Sequence, residues 1–224
     1  MASDFKPTKS TKLRLSLLLI FSVLFSISCT QNIAEIKTAT PTIIFDYYST
    51  DSTPVSRLSI FVESTSEVKR SELIRLQCKS TGYTWDINDL IRFKFAEKMY
   101  AGSNNLILPE GERVPDGEYT LLYQNADLEK AETVVKLEYD PVFYETTAAE
   151  LPALMRQKFG KKYIAIYDKN DQMIFYGERT EQLGDTRKIW NKYRNASYFN
   201  EVWTLANNSV MCILPVEYVL PSQE

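Results

Sequence analysis

The chain has 224 residues, with 26 Lys and Arg against 29 Asp and Glu and a formal charge of −3. That balance lacks the basic block a nucleic-acid binder needs. The absence of histidine excludes Ser-His-Asp and Cys-His nucleophilic catalysis and every His-containing zinc site.

The first segment is an export signal. Lys6, Lys9, Lys12 and Arg14 form a positive n-region, with Asp4 the only acidic residue before the apolar run. The run from Leu15 to Ser28 has the length of a signal-peptide h-region and is too short for a transmembrane helix, which needs about 20 apolar residues. Small residues, Ser26 and Ser28, precede Cys29. This resembles a bacterial lipoprotein signal, in which the cysteine becomes the N-terminus and carries acyl chains. Ser26 stands where the usual pattern has leucine, which is similar to the looser form in spirochaetal lipoproteins. The resemblance implies residues 1–28 as signal peptide, Cys29 as the lipidation site and membrane attachment through the lipid. An ordinary cleaved signal, with Cys29 a bystander, is the alternative. Two or three acyl chains anchor a protein stably, at about 0.8 kcal/mol per buried methylene.

Without residues 1–28 the chain has 22 basic and 28 acidic residues, a charge of −6. It gains nothing electrostatically from anionic headgroups. The remaining length suits one large or two small domains. Residues 29–42 are polar, carry Pro41 and read as a tether.

Residues 43–140 follow a period of two. Leu58, Ile60 and Val62 alternate with polar neighbours, as do Ile74, Leu76 and Cys78. The same holds for Ile91, Phe93 and Phe95, for Tyr119, Leu121 and Tyr123, and for Val135, Leu137 and Tyr139. Clean alternation means antiparallel sheets with one wet face. Turn residues at 80–82, 102–105 and 114–117 separate these runs. The pattern predicts an antiparallel β-sandwich. Pro115-Asp116-Gly117-Glu118-Tyr119 resembles the corner before a late strand of an immunoglobulin or fibronectin-type sandwich, which implies an Ig-like fold. Cys78 and Cys212 fall on apolar strand faces and read as buried free thiols; export would also permit a bridge between them.

Residues 141–224 read as a small α+β unit, either a separate domain or an elaboration packed on the sandwich. Thr147-Ala148-Ala149-Glu150 fits a capping box before a helix with Pro152 at its first position. A hairpin follows, Tyr163–Asp168 and Gln172–Tyr176. Asp185 caps a second helix with Ile189, Trp190 and Tyr193 on one side. Val210–Leu214 and Val216–Leu220 read as two closing strands split by Pro215.

Phosphate-binding glycine motifs and the G-x-S-x-G elbow are missing. Asp168-Lys169-Asn170-Asp171 is not an EF-hand, because Met173 and Arg179 stand where glycine and glutamate are required; it reads as a turn. No cofactor or metal site is expected. Asp86, Asp89 and Glu201 are the carboxylates available to a glycan hydrolase. Tyr193, Tyr198 and Trp203 interleave with Asn and Arg and form the candidate binding surface; alternatively, Phe199 and Trp203 close the core over the second helix. The expected function is a lipid-anchored cell-envelope module, facing periplasm or cell surface, that binds or scaffolds a protein or glycan without catalysis. A structural component of an envelope complex and a carboxylate-based glycan hydrolase are the alternatives.

Overall fold

In the computed structural model, which describes residues 34–65 and 67–219, the alternating runs pair into two sheets. The strands in chain order are β1 (Ile36–Asp46), β2 (Val55–Ser64), β3 (Ser71–Cys78), β4 (Thr84–Ile87), β5 (Ile91–Phe95) and β6 (Lys98–Leu106). They continue with β7 (Gly117–Asn125), β8 (Lys130–Leu137), β9 (Lys161–Asp168), β10 (Met173–Glu178), β11 (Ala196–Thr204) and β12 (Val210–Tyr218). Two short helices, α1 (Leu151–Gln157) and α2 (Thr186–Lys192), flank the β9–β10 hairpin. The small sheet has the order β4-β3-β7-β8 and the large one β10-β9-β11-β12-β1-β2-β6-β5. The protein is mainly β, with a sandwich-like pair of sheets.

The main core fills the space between the sheets. Leu58 and Ile60 of β2, Leu76 and Cys78 of β3, and Tyr119 and Leu121 of β7 are fully buried in it, as the period-two pattern predicts. Leu151 and Met155 of α1 join the same core. At one end, the Phe45 ring lies 5.4 Å from Phe143, 5.0 Å from Tyr144 and 6.0 Å from Tyr139. The buried Tyr119 hydroxyl donates to the Pro115 carbonyl oxygen, fixing the corner into β7. Cys78 and Cys212 are both buried free thiols, one in each sheet.

The strands correct three expectations and decide between the alternatives of a fourth. Residues 36–42 of the expected tether are strand instead, because β1 begins at Ile36 and pairs with β2 from there. Its threonines are good strand formers, and Ile36 and Ala39 pack on the core. Pro41 is tolerated because β12 joins β1 only from Ile43 onward, which leaves an edge at Pro41. Secondly, residues 141–224 are not a separate domain. Strands from both sides of Asp140 share the large sheet, so the C-terminal unit is an extension of the sandwich.

Thirdly, pairing is antiparallel throughout except between β1 and β12, which run parallel. Finally, 210–218 is one strand rather than two. Pro215 lies where the β11–β12 register shifts between Asn200 and Val202, so its missing N–H interrupts nothing. Asn200 Nδ2 donates to the Leu214 carbonyl at 2.8 Å across the irregularity.

Candidate functional site

Among the described residues, the large sheet is covered on one face only. Register shows which face each residue takes. Phe45 on β1 stands beside Cys212 on β12, which stands beside Trp203 on β11. All three belong to the main core. Farther along the same face of β11, Phe199 packs under α2 with Ile164, Ile166 and Ile189. The small sheet, α1 and α2 therefore all cover this one side.

The opposite face carries no further layer of described residues. Alternation puts Tyr163 and Tyr167 of β9, Tyr198 of β11, Met211 and Ile213 of β12, and Arg57 of β2 there. The tyrosines pair ring on ring. Tyr163 and Tyr176 are stacked with centroids 5.5 Å apart, and Tyr167 and Tyr198 at 4.9 Å. Tyr198 donates its hydroxyl to Asp171 Oδ1 at 2.9 Å. Desolvation, with that bond in support, pushes the Tyr198 phenol up to about 12. Burial likewise raises Tyr167 and Tyr176, while Arg57 pulls Tyr167 the other way. These hydroxyls therefore stay protonated and can donate. The Arg57 charge is taken up by Asp46, through Nε at 2.6 Å and Nη2 at 3.2 Å.

The face is concave. A recess of about 430 Å³ is lined by Phe95 near one edge of the sheet and by Tyr176 and Gly177 at the other, with Thr42, Tyr163, Thr204 and Met211 between. The two edges of an eight-stranded sheet share one recess only if the sheet curls strongly. No charged side chain lines it. A second recess, about 270 Å³, lies between Asp46, Tyr48, Asn200, Ile213 and Val216. The lining suits an uncharged or weakly charged partner with apolar and hydrogen-bonding groups.

The three aromatics singled out from sequence do not form one surface. Tyr198 and Trp203 are five residues apart on one strand, so they point to opposite faces. Trp203 is 5% exposed in the main core, and its Nε1 donates to Glu201 Oε1 at 2.9 Å. Tyr193 follows α2 and packs on Phe175 at 5.3 Å, on the covered face. Phe199 and Trp203 are core residues. The apolar stretch 190–203 thus turns inward and presents no large exposed patch. Cys29 lies outside the described residues.

Two of the three candidate carboxylates, Glu201 and Asp86, are taken up by cations. Glu201 is almost buried, with Lys162 Nζ at 2.7 Å and Arg179 in contact. Asp86 makes a two-point pair with Arg75, at 2.5 and 2.8 Å. Asp168 Oδ1 accepts from the N–H groups of Asn170 and Gln172, as a turn residue does. Among the described residues no cluster of three Cys, Asp or Glu side chains is placed to hold a metal. No helix among them is long and apolar enough to cross a membrane.

Sequence reasoning missed Tyr163, Tyr167, Tyr176 and Phe95 as neighbours. The alternation of Tyr163, Ala165 and Tyr167 is a readable signal that these side chains share a face. That β9 lies beside β11, and curls toward β5, is not readable locally. No known protein family, curated protein or solved structure matches this chain.

Proposed function

We propose that this chain is a lipid-anchored cell-envelope protein, attached through Cys29, that binds a protein or glycan partner without catalysing a reaction on it. The observation that carries the binding role is the uncovered concave face of the large sheet. Tyrosines at partial exposure beside uncharged hydrogen-bonding groups are a common means of recognition, because flat rings give contact area and hydroxyls give orientation. The anchor rests on the positive n-region, the short apolar run and the small residues before Cys29.

The scaffold reads as an Ig-like sandwich with an enlarged sheet. The strands β1-β2-β6-β5 opposite β4-β3-β7-β8 follow the order of the A-B-E-D and C-F-G sheets with one added edge strand. The Tyr119 hydroxyl bonded to the Pro115 carbonyl matches the tyrosine corner of that fold. The second reading, an assembly component of an envelope complex, draws on edge strand β5, all of whose residues are exposed.

A photo-crosslinking residue at Tyr176, with one at Glu132 on the small sheet as control, tests the binding face in intact cells. A discrete adduct at 176 and none at 132 supports it; equal or absent adducts overturn it. Intact mass of the membrane-extracted protein tests the anchor. The expected value is residues 29–224 plus acyl chains, with Cys29→Ala released from membranes.

A further inference from the structure

The first described residues mark one end of the domain. Ala34 is buried in the core, and the Glu35 N–H donates to Thr65 Oγ1 at 3.0 Å. Only residues 30–33 separate Cys29 from Ala34, so even a fully extended chain spans at most about 18 Å. Whichever end of the sandwich holds Ala34 is therefore held close to a bilayer in which the Cys29 lipid sits.

Two turns share that end. The β5–β6 turn is one, since Lys98 Nζ reaches Glu63 Oε2 at 3.0 Å near the end of β2. Ala96 and Glu97 take left-handed backbone there and set Phe95 beside Lys98. The β7–β8 turn is the other: the Ala126 N–H donates to the Arg70 carbonyl at 2.8 Å, next to the start of β3. These turns expose Phe95 at 68%, Met99 at 41% and Leu128 at 69%. Four of the nearby cations are already paired: Lys94 with Glu97, Lys98 with Glu63, Lys69 with Glu67 and Arg70 with Asp127; Lys37 and Lys130 lie at the same end outside any ion pair of the described residues.

We infer that the β5–β6 and β7–β8 turns rest on the lipid surface, with Phe95, Met99 and Leu128 entering the headgroup boundary. This rests on the anchor reading above and adds an orientation to it: the lipid fixes the distance and the turns fix the pose. Because four of the six cations at this end have carboxylate partners, the contact is mainly apolar and does not require anionic lipid. One mouth of the concave face, at Phe95, then opens beside the membrane, and the recess at Tyr48 faces away from it.

The test uses lipidated full-length protein carrying Phe95→Trp, Leu128→Trp or, at the far end, Ile107→Trp. Each is reconstituted into neutral phosphatidylcholine vesicles with brominated acyl chains, and emission is compared with the parent. The sites are 68%, 69% and 63% exposed, so the ring is accommodated. The expected result is a blue shift and loss of the added emission at 95 and 128, none at 107, and no change on adding anionic lipid. Equal quenching at all three sites, or none at 95 and 128 while the protein co-floats with vesicles, overturns the inference and leaves the anchor standing. A mass without acyl chains and no co-flotation overturns the anchor reading, and the inference falls with it.

Discussion

The two halves of the large sheet are covered in different ways. Over β1, β2 and β6 lies a whole second sheet, and the interface holds buried residues from nine strands and α1 together with the Phe45 aromatic cluster. Over β9 and β11 lies one seven-residue helix with a 3-10 turn, and seven buried residues make up that core. A helix that short has no stability of its own in water. The second half therefore borrows stability from the first, through the ladder that joins β11 to β12 and β12 to β1. Layer thickness, rather than strand number, sets how firmly each half is held.

Four substitutions sharpen that contrast. Phe45→Ala removes a fully buried ring from the thick half and is expected to cost about 4 kcal/mol. Both halves should then unfold together in a denaturant titration; loss of the sandwich with the α2 half retained would break the hierarchy. Glu201→Ala strands Arg179 and Lys162 at the seam between the two cores and is expected to cost about 3 kcal/mol. If the melting temperature is unchanged, the cluster is not a seam at all.

Ile189→Ala hollows the thin half for about 2 kcal/mol. Amide exchange should quicken in 161–200 and stay slow in β2, β3 and β7. Uniform quickening would mean that the halves are not separable.

The smallest effect is electrostatic and confined to the thick half. Lys158 beside Asp140, followed by the Val142 N–H, holds the Asp140 carboxyl below its ordinary range. A depressed carboxylate stabilises the fold above its unfolded pKa of about 3.9, and that contribution disappears as pH falls through the lower folded value. Asp140 is well exposed, so Asp140→Asn should cost only a few tenths of a kcal/mol at pH 7. The gap to the parent should narrow as pH falls below about 4, read from paired thermal melts; a gap that stays constant with pH would assign the effect to the cap geometry alone.

Local pattern carried much of this architecture. The period-two runs at 58–62, 74–78 and 119–123 place their apolar residues in the core, because a strand between two sheets has one face to bury. The run Ile91, Phe93, Phe95 has the same pattern and faces the concave side instead, with exposures of 45%, 38% and 68%. Alternation separates the faces of a strand but does not label which one is inside. The same ambiguity grouped Tyr198 with Trp203, since composition takes no account of parity. Neighbours such as Tyr167 and Tyr198, or β1 and β12, depend on pairings between distant segments that no window can contain. Cys78 and Cys212 were legible as small hydrophobes because both sit on the core side of a strand.

The parallel pairing of β1 and β12 joins the first strand of the domain to the last. A ribosome releases β1 long before β12, so through most of synthesis the β1 edge has no neighbour on that side. The sandwich can assemble early, but the concave face is completed only when β12 emerges. A chain cut short in its last segment would expose the adjoining edges of β1 and β11 at once, a conspicuous mark of an unfinished product for any protease that patrols the compartment.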